Sequence, residues 1–133
     1  MNNAKQLLMI DATYGAPLIT IEGMGGVGRV LRMYIDHPYS EIDKAKILSY
    51  MDSGHVILVP MGWPYDYINH VIPSGFGCRY LSDGIFVWCE DLTYYVRQYN
   101  FRLPRKFLEH ITLKNYIVDD IDVEEIRRRA FGF

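Results

Sequence analysis

The sequence predicts an α+β domain with a mostly antiparallel sheet. Three observations carry that prediction. Short β-prone runs and amphipathic stretches are partly segregated along the chain. An Asp-Gly pair, Asp83-Gly84, sits between two apolar runs, as in a tight hairpin. The C-terminal third reads as helices only. At 133 residues, with half the residues hydrophobic and 23% charged, the chain has the size and composition of one globular domain over 1–133.

The elements follow in order. Lys5–Asp11 and Pro17–Glu22 read as strands separated by Gly15-Ala16-Pro17. The glycine-rich Gly23–Gly28 then turns the chain into a third β-prone run, Arg29–Asp36. The first helix is Glu41–Asp52. Ser40 is its N-cap, Glu41 and Asp43 favour the positive end of its dipole, and Gly54 stops it. Ile42, Ala45, Leu48 and Met51 fall at helical spacing and predict its buried face.

His55–Pro60 is a short apolar strand, and Met61–Ser74 is a loop. Gly77–Ser82 and Ile85–Trp88 form the hairpin around Asp83-Gly84. A second helix runs from Glu90 to Tyr99, with Leu92, Tyr95, Val96 and Tyr99 on one face. A third starts at Pro104 and carries Phe107, Leu108 and Ile111. A fourth covers Val123 to Ala130, opened by the capping pair Asp122 and Glu125 and closed by Arg127–Arg129, a solvated basic end.

Charge and cysteine usage narrow the function classes. The formal net charge is −2, from 14 basic and 16 acidic side chains. Nucleic-acid binding calls for a basic face, so direct contact with nucleic acid is not expected. The apolar run at the N-terminus is too short for a secretory leader, and no stretch is long enough to span a bilayer. A cytoplasmic protein is therefore expected. Cys78 and Cys89 flank the hairpin, where a cross-strand disulfide is geometrically possible, and read better as reduced, buried or half-buried hydrophobes.

The motifs that could carry chemistry are outweighed by structural readings. Gly23, Gly25 and Gly28 match a G-x-G-x-x-G spacing, which in a dinucleotide fold brings a pyrophosphate onto a helix N-terminus. Here the next run is β-prone and reaches Pro38 within ten residues. No acidic strand end follows at the expected distance. A hairpin connection explains the glycines, and a small nucleotide-binding protein or enzyme using this turn is the alternative. His37, His55, His70 and His110 have no ligand spacing within one helix, and neither cysteine lies in a C-x-x-C. No metal or cofactor is expected. Asp36-His37 and Asp66 with His70 resemble acid–base fragments, but a nucleophile and its base are defined by geometry. No catalytic residue is assigned.

The segment Met61–His70 stands apart. It gathers Trp63, Tyr65, Asp66 and Tyr67 in a loop, and Trp and Tyr dominate binding hot spots. The structural reading is that Trp63 and Tyr67 close over the core while Asp66 caps a turn.

Ser82–Val96, with Asp-Gly before Trp88 and Leu92 before Tyr95-Val96, and Leu103–His110, with Leu-Pro before Phe107-Leu108, together resemble a group of small bacterial proteins. Their motifs are a D-G-x-x-x-W hairpin, an acidic-Leu-x-x-Tyr-Val helix and a Leu-Pro-x-x-Phe-Leu helix. Cys89 stands where that group is expected to have Pro. Several members look like immunity proteins of polymorphic and contact-dependent growth inhibition toxin systems. The resemblance implies a protein that neutralises a cognate toxin domain by direct contact, without cofactor or reactive group. It transfers no catalytic residue. Many such toxins are nucleases with basic clefts, so acids beside aromatic anchors are the expected contacts: Trp63, Tyr65, Asp66 and Tyr67 first, Asp119 and Asp120 second. An adaptor or regulatory subunit for an unrelated partner is a further alternative.

Overall fold

The computed structural model describes residues 8–10, 32–75, 77 and 79–133. The predicted strand Pro17–Glu22, the Gly23–Gly28 turn and Cys78 lie outside the described residues, as do the outer parts of Lys5–Asp11 and the start of Arg29–Asp36. The described elements run β1 (Leu8–Ile10), α1 (Glu41–Asp52), β2 (His55–Leu58), β3 (Tyr80–Ser82), β4 (Phe86–Cys89), α2 (Glu90–Tyr99), α3 (Arg105–Leu113) and α4 (Val123–Phe131). The fold is α+β.

The strands form one sheet in the order β1-β4-β3-β2. The β2–β3 and β3–β4 pairs are antiparallel, while β1 lies parallel to β4 with Leu8 opposite Phe86. All of β4 is buried because the sheet is covered on both faces. Phe86 and Trp88 join Tyr50, Met51, Leu92, Tyr95, Phe107 and Ile111 in the main core. Val87 points the other way, against Ile57 and Ile126 from α4. This is the alternation a pleated strand imposes.

The β3–β4 hairpin is centred one residue later than predicted. The Asp83 N–H donates to the Phe86 carbonyl at 3.4 Å, which puts Gly84 and Ile85 at the tip. Gly84 adopts φ +97°, a conformation costly for any other residue. Gly54 matters for another reason: a Cβ there would meet Trp88 Cζ2 at 2.5 Å. The chain can turn from α1 into β2 against the indole only without a side chain at that position.

Two predictions need correction. The buried face of α1 is Ile47, Tyr50 and Met51, and Ile42 is 69% exposed. Tyr50 was not counted as apolar, yet its ring is buried and its hydroxyl is satisfied by Asp83. Within Arg29–Asp36, residues 32–34 form a turn and bend rather than a strand. Asp36 has φ +61°, and its N–H donates to the Tyr99 carbonyl, so the chain here is fixed to the end of α2 instead of to a sheet. On the other helices Leu92, Tyr95 and Val96 of α2 and Phe107 and Ile111 of α3 are buried as expected, while Tyr99 and Leu108 are half-buried against the same core. Asp122 caps α4 by accepting from the Glu125 N–H.

Candidate functional site

Helix α2 scaffolds the long connection between β2 and β3. The helix follows β4 without a gap, so it inherits the rigidity of the most buried strand. Its N-terminal Glu90 accepts from the N–H groups of Gly77 and Arg79 and from the Arg79 guanidinium through both carboxylate oxygens. Burial would raise the Glu90 pKa, but the Arg79 side chain and these backbone donors outweigh it and the net shift is downward. The C-terminal end of the connection is thereby fixed by a bidentate, charge-assisted pair.

Its middle is fixed by Asp66. This carboxylate is fully buried, with 0% exposure. Oδ1 accepts from the N–H groups of Ile68 and Asn69, both at 2.8 Å, closing a local Asx turn. Oδ2 accepts from Tyr94 Oη at 2.6 Å and from Tyr99 Oη. The Asp66 N–H donates to the Val71 carbonyl in an isolated antiparallel bridge. Tyr95 Oη accepts from the Tyr67 N–H and donates to the Tyr65 carbonyl. Asn69 Nδ2 donates to Tyr99 Oη, and Arg32 donates to the Ile68 carbonyl.

The electrostatics of this network are consistent with its geometry. Burial pushes the Asp66 pKa up, but the bonds from Tyr94, Tyr99, Asn69 and Ile68 overcome it, and the carboxyl is held below its usual value. Asp66 is thus ionised at neutral pH, with its charge spread over four donors. Burial first, then the bond to Asp66 and its charge, push the Tyr94 hydroxyl up to about 12, and Tyr99 is raised for the same reasons. Both hydroxyls remain protonated donors at neutral pH.

The connection exposes several apolar side chains. Trp63 is 83% exposed, Met61 is fully exposed, and Val59, Val71 and Ile72 are exposed as well. Tyr65 and Tyr67 are half-buried and meet edge to face at 4.8 Å. Pro64, between Trp63 and Tyr65, is buried. The loop therefore turns one neighbouring residue inward and leaves the indole outside.

The predicted site residues divide into two groups. Tyr65, Asp66 and Tyr67 come together at α2, with Trp63 beside them on the outer face. The reading in which Trp63 closes over the core is overturned by its exposure; the reading in which Asp66 caps a turn holds. Being wholly buried, Asp66 positions the loop from beneath and offers no carboxylate to a partner. Asp119 and Asp120 lie elsewhere, both exposed. The Asp119 carboxylate pairs with Lys114, and its carbonyl meets His55 Nε2 at 2.9 Å. Both aspartates line a recess of about 350 Å³ beside Gly84 and His110. Sequence reasoning missed Tyr94, Tyr99 and Glu90, which build the loop support. Their spacing along one helix was visible; the partner of Tyr94 and Tyr99, 28 and 33 residues away in sequence, and those of Glu90, 11 and 13 away, were not.

Residues 32–40 contain no helix, while the Gly23–Gly28 run and residues 29–31 lie outside the described residues. Among the described residues, no group of three His, Cys, Asp or Glu side chains is placed to hold a metal ion. No helix among them is long and apolar enough to cross a membrane. The chain matches no family model, no curated protein and no solved structure.

Proposed function

We propose that this chain is a cytoplasmic binding protein that neutralises a cognate bacterial toxin domain by direct contact, with Met61–His70 as its contact surface. One observation carries the proposal. A large aromatic side chain, Trp63, is held almost fully in solvent on a loop whose underside is bonded to α2 through a buried ionised aspartate. Exposing an indole forgoes about 2 kcal/mol of burial energy, and Met61, Val71 and Ile72 are exposed in the same connection, so this is more than one scattered surface residue. Ordering it beforehand lowers the entropic cost of docking. Binding and steric occlusion of a toxin need nothing further, neither cofactor nor reactive group.

Co-expression tests the reading. A toxin-like domain, where one is encoded beside this gene, is produced in a sensitive host with and without the full chain. Restored growth, together with a stoichiometric complex of the two proteins, is the expected result. Killing that the chain does not relieve, with no complex on co-purification, would show the proposal to be wrong.

A further inference from the structure

The composition of the loop surface restricts the partner. From Val59 to Gly75 the chain contains one Asp, Glu, Lys or Arg side chain, Asp66, and that one is buried and saturated by four donors. The exposed side chains are Val59, Met61, Trp63, Val71 and Ile72 with Asn69, His70 and Ser74, and Arg32 donates to the Ile68 carbonyl from outside this segment. Of the second group of aspartates, Asp119 is paired with Lys114, and both Asp119 and Asp120 line the recess beside Gly84 and His110, away from this loop.

We infer that the partner meets this loop with a neutral, apolar pocket that takes up the Trp63 indole and offers an acceptor to its Nε1–H. The inference rests on the proposed neutralising role and replaces the expected match of acids to a basic nuclease cleft. A cleft lined by Lys and Arg, docked on this surface, would lose hydration with no carboxylate from Val59–Gly75 opposite, which opposes docking. An apolar pocket loses little on desolvation and gains the indole area, and the indole N–H needs one acceptor once buried. Such an interface draws its affinity from burial and is only weakly sensitive to salt. A lipid surface fits less well, because the loop has no Lys or Arg to meet anionic headgroups.

The test uses the full chain and the toxin domain of the co-expression experiment. Binding is titrated at about 0.05 M and about 0.5 M salt, where exposed charge pairs are respectively weakly and strongly screened. The dissociation constant is expected to change less than about threefold between them. Trp63→Ala, with an unchanged melting temperature, is expected to weaken binding roughly 30-fold or more, as for a buried aromatic anchor. The paired variant Asp119→Asn with Asp120→Asn is expected to bind like the parent. Tight binding that Trp63→Ala leaves intact, or that falls more than about tenfold with salt, would overturn the inference and leave the neutralising role standing. No binding of the toxin domain by the parent chain would overturn both. Vesicles of phosphatidylcholine and phosphatidylglycerol supply the other arm. A blue shift of Trp63 emission on vesicles, absent in Trp63→Phe, would assign the loop to a membrane and sink the protein pocket; buried Trp88 does not contribute to such a shift.

Discussion

Two buried aspartates organise this molecule, and they are built alike. Asp66 accepts from the N–H groups two and three residues ahead and from two tyrosine hydroxyls. Asp83 accepts from the N–H groups of Ile85 and Phe86, also two and three ahead, and from Tyr50 Oη at 2.5 Å. Nε2 of His110 lies 3.2 Å from Asp83 Oδ2, though not aligned for a hydrogen bond. The surroundings differ. Asp83 sits in a hairpin whose strands pair on through Ser82–Val87, Leu81–Trp88 and Tyr80–Cys89, above the aromatic core. Asp66 sits in a connection whose regular pairing, besides its own bridge to Val71, is absent among the described residues. The same local motif therefore finishes a structure in one place and constitutes it in the other. Loss of the carboxylate is expected to have different consequences, because the loop has little other pairing to hold it whereas the hairpin keeps its strands.

The largest expected effect is at Asp83. Asp83→Ala leaves the Tyr50 hydroxyl and two N–H groups buried without an acceptor, and should lower global stability by about 3–5 kcal/mol in urea unfolding. Asp66→Ala should cost less globally, about 2 kcal/mol, because the loop can open locally. Its signature is faster hydrogen exchange at the Ile68 and Asn69 amides, with the core amides of β4 shifted much less. Equal global losses, or no change in loop exchange, would remove the distinction between the two sites.

A smaller effect separates the tyrosines from the turn. Tyr99→Phe should cost about 1 kcal/mol in the parent and much less in an Asp66→Asn background, since the two groups share one bond. Additive losses would mean that the Tyr99 hydroxyl acts through its bond from Asn69 and not through Asp66. The pH dependence is smaller again and confined to the loop. The folded pKa of Asp66 lies below its ordinary 3.8. The stability it contributes is complete above that ordinary value and is lost as pH falls through the lower, folded value. Exchange at the Ile68 and Asn69 amides, corrected for its intrinsic pH dependence, should therefore accelerate below about pH 4 in the parent and not in Asp66→Asn. A loop that is unchanged to the acid limit of folding would contradict this assignment.

Local chemistry made much of this architecture legible. Ser40 and Asp122 announce their helices as caps, and Asp-Gly announces the hairpin. The face of α2 follows from helical spacing because Leu92, Tyr95 and Val96 are apolar enough to be counted. The face of α1 did not, since burial of Tyr50 depends on a hydrogen bond to a residue 33 positions away. The parallel pairing of β1 with β4 joins residues nearly eighty apart and leaves no trace in either strand. The same limit applies to the site. The aromatic loop was visible as composition, and the turn-capping role of Asp66 was visible as a type of residue in a type of place. Its burial was not, because the donors that permit it, Tyr94 and Tyr99, come from a helix read only for its core face.

The central claim is that the Met61–His70 loop is a preformed contact surface whose outer aromatic serves binding and not folding. The two tryptophans make the test direct, since Trp88 is fully buried and Trp63 is not. Trp63→Ala, measured in parallel for melting temperature and for protection against the cognate toxin domain, is predicted to keep its stability within about 0.5 kcal/mol and to lose protection. A lowered melting temperature, or full protection by the variant, would contradict the account.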